Sequence, residues 1–337
     1  MPEPLITELR ASRAPLLIFP EAGTGALGCL EEIPPALRRP TPPALPALDP
    51  ATLSSHFDAV AALPANSWPS ASLAARAANL PGLSSVHPSQ PAPTVQGALG
   101  IIHEVVRALA ALTGLDRFSL QPSSIESAER AALLIARAAL ERTQPGRVEV
   151  VAPAASPVLG QATELGLVAR PVERLASGDV AIEALDASVG DKTALVVGTW
   201  LTPQGRFERN LDAMGQLAHL RGALFAVDAA GLGILAGRTR LREVEADIAW
   251  FRLAELCPVA LGAALGVRAA LTDKLPSPLV AKARSGYELD TELPGTIGPL
   301  AIAPASLADA LAVYVVLRTL GAAGLLARAD QLAAALP

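Results

Sequence analysis

The sequence is poor in the residues that build metal centres and disulfide frameworks. Its 337 residues include two cysteines, Cys29 and Cys257, far apart and without a CxxC spacing, and four scattered histidines. Neither set has the spacing of a zinc site, and isolated thiols are typical of a reducing compartment. We therefore expect neither a metal centre nor a structural disulfide.

Clusters of basic charge and long uninterrupted apolar runs are also missing. The net charge is −5, and no group of lysines and arginines could neutralise a run of phosphates. The N-terminus has no basic start followed by an apolar stretch, and later apolar runs are interrupted before about 18 residues. The sequence predicts a cytoplasmic protein with no nucleic-acid or membrane partner.

The sequence is rich in apolar residues: 51% of its residues are hydrophobic and only 18% are charged. Prolines crowd the first part, with a run between residues 34 and 50. Because proline fixes φ and lacks an amide donor, residues 1–95 are predicted to form an extended arm with short helices, one of them at Ser72–Asn79.

From residue 96 the pattern changes to short apolar strands alternating with helices. The strands include residues 148–151, 194–198 and 223–228, and Ala260–Ala270 is interpreted as a strand–turn–strand. This alternation predicts an α/β domain over 96–290, with a mostly parallel sheet, helices on both faces and a ligand site at the carboxyl ends of the strands. Residues 291–337 are predicted to be a helical remnant of a smaller domain.

Several short motifs follow one another along the chain: Val86–Pro91, Thr94–Leu99, Leu112–Asp116, Leu120–Pro122, Gly205–Leu211, Gly295–Gly298 and Leu317–Leu325. In order and spacing they resemble the decarboxylating glycine dehydrogenase family, subunit 2 type. The resemblance implies a fold-type-I pyridoxal-phosphate protein of the glycine cleavage system, with a proline-rich arm and a truncated C-terminal domain. In that family the cofactor supports glycine decarboxylation and transfer of the aminomethyl group to a lipoylated carrier.

The resemblance also implies where the cofactor site would lie. Asp228, at the end of a buried strand, takes the place of the aspartate that pairs with the pyridine nitrogen, although a capping aspartate after a strand fits the spacing equally well. Ser123 and Ser124 take the place of the phosphate-binding segment. Ser156 falls where the family has a histidine that stacks on the ring.

The Schiff-base lysine has no counterpart. The family's His-Lys pair matches Ala254 and Glu255, and a carboxylate cannot form a Schiff base. Glu126 adds a negative charge beside the phosphate position, and Ile125 hinders close backbone approach. The chain's three lysines are Lys192, before a strand, and Lys274 and Lys282, expected beyond the last strand; surface roles are expected for all three.

Two deletions also indicate that the family's chemistry is lost. A family segment that should precede residue 64 has no counterpart, and the C-terminal domain stops after about residue 330. We therefore expect a pseudoenzyme, without catalytic residues and without bound pyridoxal phosphate, that acts as a scaffold or partner subunit. The expected assembly is a homodimer or a hetero-oligomer with a subunit 1-like chain.

Two alternatives remain open at this point. The first is an active glycine decarboxylase component in which another group holds pyridoxal phosphate. The second is a small-molecule binding protein that uses the remodelled site, with Glu255, Asp228 and Glu126 as acidic contacts for a cationic ligand.

Overall fold

The computed structural model describes residues 91–141, 143–258, 260–291, 294–300 and 307–335. The predicted extended arm therefore lies almost entirely outside the described residues. The same holds for its helix at Ser72–Asn79 and for the motif Val86–Pro91.

The described elements alternate along the chain much as the sequence pattern predicted. In order they are α1 (Gln96–Thr113), β1 (Arg117–Ser119), α2 (Ile125–Leu140), β2 (Glu149–Pro153), α3 (Val158–Glu164), β3 (Val168–Val172), α4 (Ile182–Ser188), β4 (Thr193–Thr199), α5 (Leu211–Leu220), β5 (Leu224–Asp228), α6 (Leu232–Leu235), β6 (Ile248–Arg252), β7 (Ala263–Val267), β8 (Leu279–Ala283), β9 (Gly286–Asp290) and α7 (Leu307–Ala335). Short 3-10 helices lie at Ala92–Thr94, Leu241–Val244, Leu253–Glu255 and Ala269–Lys274.

Seven strands form one mixed sheet in the order β1-β7-β6-β5-β4-β2-β3. Every pair among β2 to β6 is parallel, whereas β7 runs antiparallel to both β6 and β1. Parallel strands need crossover helices, which cover the two faces. The predicted mostly parallel α/β sheet is confirmed.

Side chains alternate between two apolar cores on opposite faces of this sheet. On β6, Phe251 packs in the core formed with α1, α5 and α7, and Trp250 packs in the core formed with α2 and α3. Both side chains are fully buried. Burial of a large side chain contributes roughly 2–3 kcal/mol, so the central strands are held firmly from both sides.

The interpretation of Ala260–Ala270 as a strand–turn–strand is wrong. A single strand, β7, occupies the middle of the segment, and Gly266 lies inside it rather than in a turn. Gly266 pairs with Phe118 of β1, and a Cβ at Gly266 would come within 2.4 Å of the Phe118 ring. This glycine serves close packing, which a sequence pattern does not distinguish from a turn.

A two-stranded hairpin, β8–β9, was not predicted, because its strands are short and carry charged residues such as Lys282 and Glu288. Lys282 lies within β8 and not beyond the last strand as expected. The Gln96 side chain fixes the hairpin to α1 by donating to the Tyr287 carbonyl and accepting from the Tyr287 amide, both at 2.7 Å.

The C-terminal helix α7 has a break at Gly321, where φ is 58° and ψ is −170°. This break separates two helical halves, which lie within the segment 291–337 that the sequence predicted to be helical. Leu307–Asp330 is long and apolar enough to cross a membrane by length and composition, with a mean hydropathy of 1.8, which the sequence analysis did not anticipate. Its residues 310–317 are buried against the rest of the domain, as in a core helix.

Candidate functional site

The carboxyl ends of the parallel strands bring the predicted site residues to one edge of the sheet. Asp228 is the last residue of β5 and pairs in register with Thr199 of β4 and with Trp250 of β6. Glu255 follows β6 in the 3-10 helix Leu253–Glu255. Because neighbouring parallel strands end at the same edge, Asp228 and Glu255 lie close enough for their charges to interact.

Asp228 has a local structural contact at this edge. Its Oδ1 accepts a hydrogen bond from the Ala230 amide at 3.0 Å, which stabilises the turn after β5. Burial raises the pKa of Asp228 to about 6, against smaller lowering effects of the Ala230 amide and of Arg252. The contact matches the capping alternative left open by the sequence.

Glu255 is 6% exposed and lies close to the backbone of the segment that follows Asp228. The amides of Gly231 and Gly233, at the start of α6, lower the pKa of its carboxyl group, against a larger effect of burial. Burial raises the pKa of Glu255 to about 7, and the Asp228 charge adds to the shift. A Cβ at Gly233 would lie 2.4 Å from the Glu255 carbonyl oxygen, so glycine is required for this close approach.

Ser123 and Ser124 lie at the start of helix α2, and a side chain of this segment caps the N-terminus of the helix. Ser124 is the N-cap, and its hydroxyl oxygen accepts from the Ser127 amide at 3.3 Å in a capping box. The Glu126 carboxylate accepts from its own amide and from the Ser124 hydroxyl, and these bonds lower the pKa of Glu126. An internal carboxylate therefore occupies the positive end of the helix dipole. Ser123 is exposed beside it.

Ser156 lies in the turn that joins β2 to α3. Its amide donates to the Pro153 carbonyl at 2.8 Å, and its carbonyl accepts from the Leu159 amide at 3.2 Å. Ser156 therefore follows the carboxyl end of β2, on the same edge of the sheet as Asp228.

The structure adds two residues, Glu129 and Arg252, that the sequence motifs did not indicate. Glu129, on α2, is 3% exposed and accepts a hydrogen bond from the Gln161 side chain of α3 at 2.6 Å. Burial raises the pKa of Glu129 to about 7, with further raising effects of Asp228 and Glu126. Arg252, the last residue of β6, is exposed and partly offsets these charges.

A sequence signal for Glu129 exists. The residues of α2 at positions 125, 128, 132 and 136 form an apolar stripe, and Glu129 lies within the stripe rather than on the polar face. A carboxylate on the buried face of an amphipathic helix is uncommon and marks a special environment.

The motif Gly205–Leu211 forms a buried ionic network beside the same edge. Glu208, fully buried, pairs with Arg174 at 2.9 Å and accepts from the amides of Val180 and Asn210. Arg174 also donates to the Thr199 hydroxyl at 2.9 Å, at the end of β4. The motif thus connects two loops and a strand end, and in this chain its contacts are structural.

The three lysines have contacts of their own in the fold. Lys192 precedes β4 at the edge opposite to Asp228, where it lines a groove of about 560 Å³ together with Glu149 and Arg170. Lys274 pairs with Asp273 at 2.7 Å, and its carbonyl accepts from the Ile297 amide at 3.2 Å. Lys282 lies exposed in the β8–β9 hairpin. Among the described residues, no cluster of three or more histidine, cysteine or acidic side chains could hold a metal ion.

The chain matches no protein-family model. It is 31% identical over 265 residues to a probable glycine dehydrogenase (decarboxylating) subunit 2 of Caldanaerobacter subterraneus subsp. tengcongensis, covering 76% of this chain and 54% of the relative. It is 29% identical over 339 residues to the protein of the same name from Methylococcus capsulatus, covering 94% of this chain and 69% of that relative. Against several of these curated relatives the chain spans about half of their length.

Solved structures show the same fold. An inhibitor-bound glycine decarboxylase (P-protein) of the glycine cleavage system superposes with a TM-score of 0.59 at 19% identity, covering 96% of this chain and 68% of that structure. An apo cysteine desulfurase from Thermococcus onnurineus superposes with a TM-score of 0.53 at 18% identity, covering 83% of this chain and 66% of that structure. These likenesses confirm the fold-type-I architecture implied by the sequence motifs.

Proposed function

We propose that this chain, a homologue of glycine dehydrogenase (decarboxylating) subunit 2, is a non-catalytic scaffold or partner subunit. The proposal rests on Glu255, which the sequence resemblance matches to the family's Schiff-base lysine. Glu255 is buried beside Gly233, whose Cβ position would lie 3.6 Å from its Oε2. A carboxylate offers no amine to an aldehyde.

The residues at the carboxyl edge do not fit pyridoxal phosphate. Free amides at a helix N-terminus are what bind a phosphate, and at α2 the Ser127 amide donates to the Ser124 hydroxyl oxygen while Glu126 adds a carboxylate to the same helix end. The charges of Asp228 and Glu126 also act on Glu129, and that of Asp228 on Glu255, which disfavours a dianion at this edge. We therefore propose that the chain does not bind the cofactor in the manner of its family.

The remaining features of the proposal follow from the relatives' names and from the sequence pattern. We propose three regions: an N-terminal arm over 1–95, the α/β domain over 96–290 and a helical remnant over 291–337. We also propose a cytoplasmic location, and assembly as a homodimer or with a subunit 1-like chain. Support for a partner comes from the relatives, which are named as one of two subunits.

Absorbance spectroscopy tests the loss of cofactor binding. The purified chain, incubated with pyridoxal phosphate and then desalted, is expected to show no visible aldimine band. A band that hydroxylamine removes would overturn the proposal, because it would show covalent attachment to an amine of the chain. Glycine–bicarbonate exchange activity in the presence of a lipoyl carrier and a subunit 1-like chain would overturn it as well.

Size-exclusion chromatography with light scattering tests the scaffold role. The chain is expected to elute as a complex, either with itself, with a subunit 1-like chain or with an intact subunit 2. A monomer in all three mixtures would contradict a scaffold. A ligand-induced melting shift with a diamine, abolished by Asp228→Ala, would favour the small-molecule alternative instead.

A further inference from the structure

His219, in the last turn of α5, lies between two carboxyl groups. Its Nε2 is 2.7 Å from Oδ2 of Asp247, and its Nδ1 is 3.0 Å from Oε2 of Glu245. A carboxylate accepts hydrogen bonds and donates none, so a ring bonded to two carboxylates carries a proton on each nitrogen. A neutral imidazole has only one N–H. The geometry therefore fits an imidazolium with two charge-assisted hydrogen bonds.

Asp247 is the firmly held carboxylate of the two. Its side chain is 10% exposed, its Oδ2 also accepts from the Phe225 amide of β5 at 2.8 Å, and its Oδ1 accepts from Arg268 at 3.2 Å. The Asp247 amide in turn donates to the Phe225 carbonyl at 2.8 Å. These contacts do not involve the imidazole ring, so they keep Asp247 in place whatever the charge of His219.

Glu245 is the less firmly held carboxylate. Its side chain is 42% exposed, and within the described part of the chain His219 is the only partner of its carboxylate. Its backbone has φ 60°, the one positive φ of a non-glycine residue among those described. A residue with a Cβ adopts this conformation at an energetic cost, and its surroundings must compensate for it. The contact with His219 is one such compensation.

The charges around His219 balance when the ring is an imidazolium. Glu245 and Asp247 contribute two negative charges, and Arg268 and the ring contribute two positive ones. The partial negative charge at the carboxyl end of α5 also favours a cation there. Other charged side chains on α5 and on the elements beside it are Arg221 with its partner Asp186, Arg240 with Glu243, Arg242 with Asp116, Asp212 and Glu183.

We propose that His219 is a pH-sensitive clamp, which as an imidazolium fastens the segment 241–246 to the end of α5 and releases it when the ring loses a proton. The segment lies close to α5 elsewhere too, since a Cβ at Gly215 would come within 2.6 Å of the Val244 carbonyl oxygen. A neutral ring keeps one N–H, which stays with the buried Asp247. The bare Nδ1 then faces the Glu245 carboxylate, and the two acceptors repel each other. Glu245 leaves the ring, and its backbone relaxes.

The direction of the pH effect follows from where the second ring proton is bound. In the folded chain this proton lies against a carboxylate, a partner that the unfolded chain does not hold in place. The folded chain therefore binds the proton more tightly than the unfolded chain does. The stabilising contribution of the clamp is fully present below the ordinary histidine pKa of about 6.5 and is lost as the pH rises and the folded chain gives up the proton.

His103 provides a comparison within the same chain. It lies in α1 and is 9% exposed, and its Nδ1 has no hydrogen-bond partner among the described residues. Burial lowers the pKa of His103. Because a buried ring without a carboxylate partner stays neutral near neutral pH, the two histidines are expected to differ in protonation.

Ring-nitrogen NMR of the chain labelled in its histidines tests the protonation state. At about pH 7, both ring nitrogens of His219 are expected to carry protons, whereas His103 is expected to carry one. The variants His219→Gln and His103→Gln assign the two signals, because each removes one of them.

Amide hydrogen exchange tests the release of the segment. The Glu245 and Ala246 amides donate within the segment, each at 3.1 Å. Between about pH 6.5 and about pH 8.5, as Nδ1 of His219 loses its proton, the protection factors of these two amides are expected to fall roughly threefold to tenfold. The Asp247 amide, bonded to β5, is expected to keep its protection.

Glu245→Gln removes the charge beside Nδ1 and keeps the size of the side chain. This variant is expected to hold the second ring proton less tightly, so that a larger share of His219 rings is neutral at about pH 7 and the protection of residues 245 and 246 is already reduced there. Glu183→Gln is the matched control, because it removes an exposed carboxylate from α4, the helix beside α5. It should behave as the wild type in both measurements.

Three results would each overturn the proposal. The first is a single ring proton on His219 of the wild type at about pH 7. The second is unchanged protection of the Glu245 and Ala246 amides after Nδ1 has lost its proton. The third is a Glu245→Gln chain whose His219 protonation and segment protection equal those of the wild type. The first two measurements use the unmodified chain without cofactor or partner, so their outcome is independent of the proposed scaffold role.

Discussion

At the scale of single residues, Glu208 shows how a family motif can persist in a structural role. Glu208 is fully buried, and its carboxylate satisfies both Arg174 and the amides of Val180 and Asn210. Arg174 is itself mostly buried. Removal of the carboxylate leaves an uncompensated cation, and such losses are among the largest that one substitution causes.

We expect Glu208→Ala to lower the free energy of unfolding by about 3 kcal/mol, measured by urea denaturation. Glu208→Gln keeps acceptors for the amides and should cost less, about 1–2 kcal/mol. Arg174→Ala completes a double-mutant cycle with Glu208→Ala. A coupling energy near zero in that cycle would show that the pair contributes nothing beyond its separate contacts.

The sequence identified residues that lie at the carboxyl edge of the sheet, but it did not identify the side chains that surround them. Asp228 and Glu255 were identified from the family resemblance, and the structure places both after neighbouring parallel strands. Glu129 and Arg252 were not predicted, because neither belongs to a matched motif and only the packing of α2 on β6 brings them near each other. The role of Glu126 at its own helix end also depends on side-chain geometry that a sequence does not display.

At the scale of an element, the break in α7 depends on one glycine. Gly321 has φ 58° and ψ −170°, a combination that is strongly unfavourable for any residue with a Cβ. The break directs the second half of the helix so that Arg328 reaches the Leu256 carbonyl.

We expect Gly321→Ala to lower the free energy of unfolding by about 1–3 kcal/mol, measured by thermal or urea denaturation. The matched control is Gly160→Ala, in the middle of α3, where a Cβ meets nothing within 4 Å. Its substitution should stabilise the chain by about 0.5–1 kcal/mol. If both substitutions stabilise alike, the backbone at residue 321 is not strained by a side chain.

Elements with strong periodicity were the most predictable. Helix α1 ends at Gly114, whose φ is 76°, the left-handed conformation that favours glycine after a helix. The β8–β9 hairpin escaped prediction because its stability comes from contacts distant in sequence, among them Gln96 with Tyr287 and Arg117 with the Val280 carbonyl. The strand pattern of β7 was interpreted wrongly because Gly266 resembles a turn residue in sequence and is a packing residue in space.

At the scale of the whole molecule, α7 contacts the loops that follow β5 and β6, where the candidate site lies. Its first half is buried in the core with α1. Its second half carries Arg328, which holds the Leu256 carbonyl next to Glu255, and Asp330, which pairs with Arg238 beyond α6. The loops that follow β5 and β6 therefore contact the same helix.

A chain that ends at Leu320 removes these contacts together and uncovers apolar surface that Leu325 and Ala329 bury. We expect this truncation to lower the free energy of unfolding by about 3–5 kcal/mol, and to speed amide exchange in residues 229–238 and 253–257 more than in β4 and β5. Asp330→Ala is the graded control: it removes one half-exposed ion pair and should cost under about 1 kcal/mol. Uniform acceleration of exchange across the sheet would show that the second half of α7 stabilises the fold as a whole, rather than the segments beside Asp228 and Glu255.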